Sequence, residues 1–116
     1  MSDTTTTAPA SRVIDPRVSI RLANGSDLAG RLEYFIPSKQ LVVFAYDDLL
    51  AQALTVKVAD APEAYDALAP DEVLLRNWVE LRGAAASLVD QGIVELTGVE
   101  VPVGTFRLHA LVARVL

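Results

Sequence analysis

Val18, Ile20 and Leu22 alternate with Ser19 and Arg21, which is the period of a half-buried strand. Asn24-Gly25 follows, a hairpin signal because both residue types tolerate a positive φ. Leu28, Gly30 and Leu32 then alternate with Ala29 and Arg31, until Pro37-Ser38 interrupts the pattern. Leu41-Val42-Val43-Phe44 is a short apolar run of strand type. Residues 17–46 therefore predict a three-stranded antiparallel meander. Gly30 inside a strand implies a sharp bend, where a small sheet curls into a barrel.

Residues 47–74 read as an elaborated connection with short helices. Asp47-Asp48 starts a short helix through Leu54, and Thr55–Val58 is a brief strand. Asp60-Ala61-Pro62-Glu63 is a helix start, and Pro70 ends the run Glu63–Ala69. Residues 71–92 read two ways. As a helix, Leu74, Trp78, Leu81, Ala85 and Leu88 share one stripe, opened by Pro70-Asp71-Glu72 and closed by Gly92. As strands, Val79, Leu81, Gly83 and Ala85 share one face. Propensity alone favours the helix, because Gly-Ala-Ala-Ala is poor strand sequence. Residues 93–116 predict a second hairpin: Ile93–Leu96 and Val99–Val103, a turn around Gly104, then alternation through Phe106, Leu108, Ala110 and Val112.

A chain of 116 residues suits one domain. The Thr-rich start, residues 1–12, reads as a flexible arm, and 13–116 as one small β domain. With 52% hydrophobic and 22% charged residues, the composition is that of a globular chain. The absence of cysteine excludes disulfides, thiol catalysis and cysteine-ligated metals. The single histidine, His109, cannot make a common zinc site alone, and no cofactor is implied. A formal net charge of −5 disfavours general binding to phosphate backbones. The start lacks a basic and apolar signal pattern, and no apolar run approaches the roughly 18 residues of a membrane span. A cytoplasmic protein, or part of a virus particle, is expected.

The stretch VSIRLANGSDLAGRLEYFIPSKQLVVF resembles the first signature motif of the Sm and Sm-like proteins. Val18, Ile20, Leu22, Gly25, Leu28, Gly30, Leu32, Phe35, Leu41 and Val43 fit it without a gap. Residues 79–89, VELRGAAASLV, are similar to the second motif, an apolar residue with Arg-Gly and further apolar positions. The resemblance implies a mainly β fold: a small barrel of antiparallel strands of the SH3 or Sm kind. Short helices would sit in a long connection, and residues 92–116 would extend the barrel as a hairpin. Arg82-Gly83 would be the tight passage between strands four and five. With the resemblance added, strand and helix stand level over 71–90, and the alternative fold is α+β with a helix there.

The family's loop after the second strand carries an Asp, a base-stacking residue and a base-reading Asn. The matching positions here are Ile36, Lys39 and Gln40, so the Asp is lost, and Gln40 keeps an amide. Lys39 can meet phosphate, and Arg82 matches an arginine whose guanidinium can lie against a base. Lys39, Gln40 and Arg82 are thus the candidate RNA-binding residues. Asp47-Asp48 reads as helix-start acid, since adjacent strand residues face opposite ways. His109 with Glu95 or Glu100 lacks a nucleophile at any recognisable spacing, so it reads as a strand histidine. Trp78 reads as a buried anchor in preference to a ligand platform. The expected function is non-enzymatic: an Sm-like interaction protein that assembles with itself or with other protein subunits, because unpaired strand edges invite neighbours. An RNA-binding Sm-like ring is the alternative.

Overall fold

Alternation over the first half of the chain becomes a four-stranded antiparallel meander. Its strands are β1 (Ser11–Arg21), β2 (Asp27–Phe35), β3 (Gln40–Phe44) and β4 (Ala51–Ala53), paired in that order. The computed structural model describes residues 10–45, 51–78, 81–104 and 107–116. Most of the expected arm lies outside the described residues, and Ser11 and Arg12 already pair with Phe35 and Tyr34. The helix expected from Asp47-Asp48 also begins outside them. Its predicted end does not form, because Ala51–Ala53 pair with Val42–Phe44 of β3.

The connection then runs through Thr55, a single 3₁₀ turn at Val58–Asp60 and α1 (Pro62–Ala67), which starts on proline as the sequence indicates. Thr55 bridges to Leu75 and so links the meander to a second sheet. That sheet comprises β5 (Glu72–Leu75), β6 (Val94–Val103) and β7 (Leu108–Val115), ordered β5-β7-β6. The hairpin expected over 93–116 is β6 with β7. It is integral to the fold, because Val94, Ala113 and Val115 enter the main core beside Val18, Ile20 and Leu32. A second cluster gathers Val56, Tyr65, Leu74, Val103, Ala110 and Val112 under α1. Among the described residues no helix is long and apolar enough to cross a membrane.

The structure divides the ambiguous stretch 71–90. Val73, Leu74 and Leu75 are all buried in β5, held between β7 and Thr55, so a continuous helix from Asp71 is excluded. The second part is α2 (Ala84–Asp90), favoured by its alanines. It ends where the sequence places the stop. The Gly92 amide donates to the Val89 carbonyl and the Ile93 amide to the Leu88 carbonyl; Gly92 has φ 73. This is a Schellman cap, with Leu88 and Ile93 packed in the same core.

The fold is mainly β, but the two sheets do not close into the expected barrel. The reason lies along β1. Ser87 Oγ accepts the Arg21 amide at 3.1 Å, and Gln91 Nε2 donates to the Ser19 carbonyl at 2.8 Å. Meanwhile Ala84, Ala85 and Leu88 bury against Val18 and Ile20. A helix thus occupies the flank that a closing strand would take and satisfies the edge with side chains.

Two glycines permit close backbone approaches. A Cβ on Gly30 would stand 2.2 Å from the Phe44 carbonyl oxygen, where the end of β3 crosses β2. Gly83 has φ +94, and its Cβ would meet the Ala23 amide nitrogen at 2.7 Å. There the Ala23 N–H donates to the Arg82 carbonyl at 2.7 Å. The β1–β2 turn departs from a two-residue hairpin. Gly25 takes φ 90, while the Asn24 carboxamide oxygen accepts from the Ser26 amide and hydroxyl.

Gly30→Ala is expected to cost about 2 kcal/mol or more in urea unfolding, because rigid backbone blocks the new methyl. Gly98→Ala has open space at φ +89 and is expected to cost only about 1 kcal/mol of backbone strain. Equal costs would place the Gly30 constraint elsewhere. For the β1 edge, Ser87→Ala with Gln91→Ala is expected to lower stability by about 1–2 kcal/mol. Amide exchange at Arg21 should accelerate more than at Val43.

Candidate functional site

Lys39 and Gln40 stand side by side after the turn that joins β2 to β3. Lys39 takes φ 55, and its Nζ donates to the Ala69 carbonyl at 3.1 Å. Gln40 is committed inward. Its Nε2 donates to the Val56 carbonyl at 3.1 Å and to the Tyr65 phenol oxygen at 2.8 Å. Its Oε1 accepts from the Thr55 hydroxyl at 2.6 Å. Tyr65 donates in turn to the Val56 carbonyl. These four residues form a polar clamp where the chain passes from one sheet to the other. Thr55 is the buried polar side chain of the described core, and the clamp satisfies it. Burial pushes the Tyr65 phenol above its usual range, opposed by the hydrogen bonds of Gln40 and Thr55.

Arg82 lies elsewhere. Its side chain is exposed and its carbonyl holds Ala23 of the β1–β2 turn. That turn precedes Asp27 and the Lys39 turn follows Phe35, so the length of β2, roughly 26 Å at the usual rise, separates the ends. The structure brings Lys39 and Gln40 together and leaves Arg82 apart. The three do not form one pocket.

His109 Nδ1 faces Glu100 Oε1 at 3.0 Å across the β6–β7 hairpin. Both side chains are exposed, which places the expected strand histidine in a surface polar contact. Glu95 pairs with Arg114 instead. Among the described residues no His, Cys, Asp or Glu cluster could hold a metal ion.

Two concavities were not legible from the sequence. A cleft of about 330 Å³ is lined by Lys57, Asp60, Arg76 and Trp78 over Thr55 and Val103. Trp78 is half-buried against the second cluster, so it both anchors and lines a surface. The other concavity is a groove along the seam between α1 and β6. It consists of hollows of about 300 and 210 Å³ that share Ala64 and Val101. Its apolar floor includes Leu68, Val99 and Val112, while Asp60, Glu63 and Glu72 supply carboxylates. Among the described lining residues there is no Lys or Arg. Contact between residues 60–72 and 97–112 depends on the tertiary fold, and no local motif announces it.

No protein-family model matches the chain, and no curated protein or solved structure matches it.

Gln40→Ala should lower unfolding stability by about 1–3 kcal/mol, since it strips partners from Thr55 and Val56. Arg82→Ala should stay within about 0.5 kcal/mol. Tyr65 carries a pH signature. Its raised pKa means that the unfolded chain ionises first, so stability is full below about pH 10 and is lost as pH rises further. Tyr65→Phe should flatten this alkaline slope in urea midpoints measured from pH 8 to 11. An unchanged slope would remove Tyr65 from it.

Proposed function

We propose that this chain is a non-enzymatic interaction module that assembles with copies of itself. The observation that carries this reading is the bulge in β6. Register slips between Leu96 and Glu100, and Leu96 (42%) and Val99 (54%) stand exposed. Val99 also lines the apolar seam with α1. Apolar side chains raised on a bulge beside a groove are suited to burial against a partner. The meander β1–β3 carries the first Sm-like stretch without a gap, which supports an open member of that lineage. We rank the RNA reading second, because the Gln40 amide donates to Val56 and Tyr65 within the chain and Arg82 stands apart from Lys39 and Gln40.

Sedimentation equilibrium at micromolar concentrations should reveal species above the monomer mass. Leu96→Glu with Val99→Glu should return the protein to monomer without lowering its thermal midpoint. A wild-type monomer across that range would overturn the proposal. Labelled oligouridine should show no saturable binding at physiological salt. Tight binding abolished by Arg82→Ala would make RNA recognition the function.

A further inference from the structure

The α1–β6 groove and the first half of β1 are complementary in charge and polarity. The groove has an apolar floor at Ala64, Val101 and Val112, with Asp60 and Glu63 toward one hollow and Glu72 toward the other. Asp60 and Glu63 are exposed. The opening of β1 has the reverse character. Val13 is 48% exposed, and Arg12 and Arg17 on either side of it are exposed. Both nearby acids are engaged within the chain: Asp15 turns its carboxylate to the Arg17 amide at 2.9 Å, and Glu33, opposite Val13 on β2, accepts from the Ser11 hydroxyl at 2.5 Å and pairs with Arg31 at 3.2 Å.

Direct strand addition between these regions is obstructed on both sides. Pro16 has no N–H, and the β1–β2 register slips twice between Val13 and Val18. The β6 edge is interrupted by its bulge, with Gly98 at φ 89, and carries Pro102. Such devices discourage a continuous ladder and leave side chains to make the contact.

We infer that the groove between α1 and β6 receives the opening of β1 of a second copy of this chain, with Val13 on the apolar floor, Arg17 facing Asp60 and Glu63, and Arg12, which lies over the Tyr34 ring on the opposite face, adding positive charge at the rim. The inference rests on the assembly reading above and names its two surfaces. A like-charged face would be rejected, because a molecule of net charge −5 repels its copies except where local charges oppose. The same two patches serve a reciprocal pair or a head-to-tail series.

The test is a charge exchange on the full chain, read by sedimentation equilibrium. Asp60→Lys with Glu63→Lys reverses the groove, and Arg12→Glu with Arg17→Glu reverses the strand. Each double variant alone should self-associate more weakly by about tenfold or more. An equimolar mixture of the two should recover association to within about threefold of wild type, because each reversed patch then meets its complement. Unchanged thermal midpoints separate these losses from unfolding. If wild type assembles and both variants assemble equally well, the groove is not the seat of the contact, although the assembly reading stands. Loss in both variants without recovery on mixing also overturns the pairing, since the two surfaces then do not face each other. A monomeric wild type removes both proposals together.

Discussion

An edge strand carries backbone donors and acceptors that must find partners, and in this molecule the edge of β1 is completed from across the fold. Arg21 and Ser19 bond to Ser87 and Gln91 of α2, while the apolar side of that helix enters the core against Val18 and Ile20. The open architecture follows from this. Once a helix has filled the flank of β1, the second sheet cannot wrap round to pair with it, and among the described residues β6 stands at the end of its sheet. Among the described residues β6 pairs with β7 alone, and its bulge and its seam with α1 are free of strand partners.

Much of the framework was legible because its signals are local. Period-two alternation located the second half of β1 and most of β2, and Pro37-Ser38 marked the break before β3, whereas the start of β1 fell in the expected arm. Pro62 located the start of α1 and Gly92 the end of α2. The stretch from 71 to 90 resisted reading because its pattern serves two purposes. Leu74 belongs to a strand and Leu88 to a helix, and their helical spacing is coincidental across the irregular passage between them. Gly30 stands out in the sequence as a glycine inside a strand, and its reason is steric. The Phe44 carbonyl occupies the space where a side chain would begin.

The candidate site was less legible because a side chain's partners are chosen by tertiary structure. Gln40 offers the same amide to a base as to a buried hydroxyl, and sequence spacing does not reveal that Thr55, Val56 and Tyr65 will surround it. Lys39 likewise finds the carbonyl of Ala69. Both side chains hydrogen-bond within the chain, where it passes from one sheet to the other. The acidic groove draws on α1 and β6, segments some 30 residues apart, and its polarity emerges only on folding.

The fastening of β1 by α2 also bears on synthesis. Ser19 and Gln91 are separated by 72 positions in sequence. On a ribosome, which makes chains from the N-terminus, the meander can pair long before its outer flank is covered. Over the first half of β1, Pro16 lacks an N–H and the Arg17 amide is met by the Asp15 carboxylate, so that stretch offers fewer free donors to a neighbouring strand. Contacts of such long sequence separation also slow the final folding step, since a large loop must close before they form. The irregularities at the start of β1 thus leave a poorer template for strand pairing than its second half.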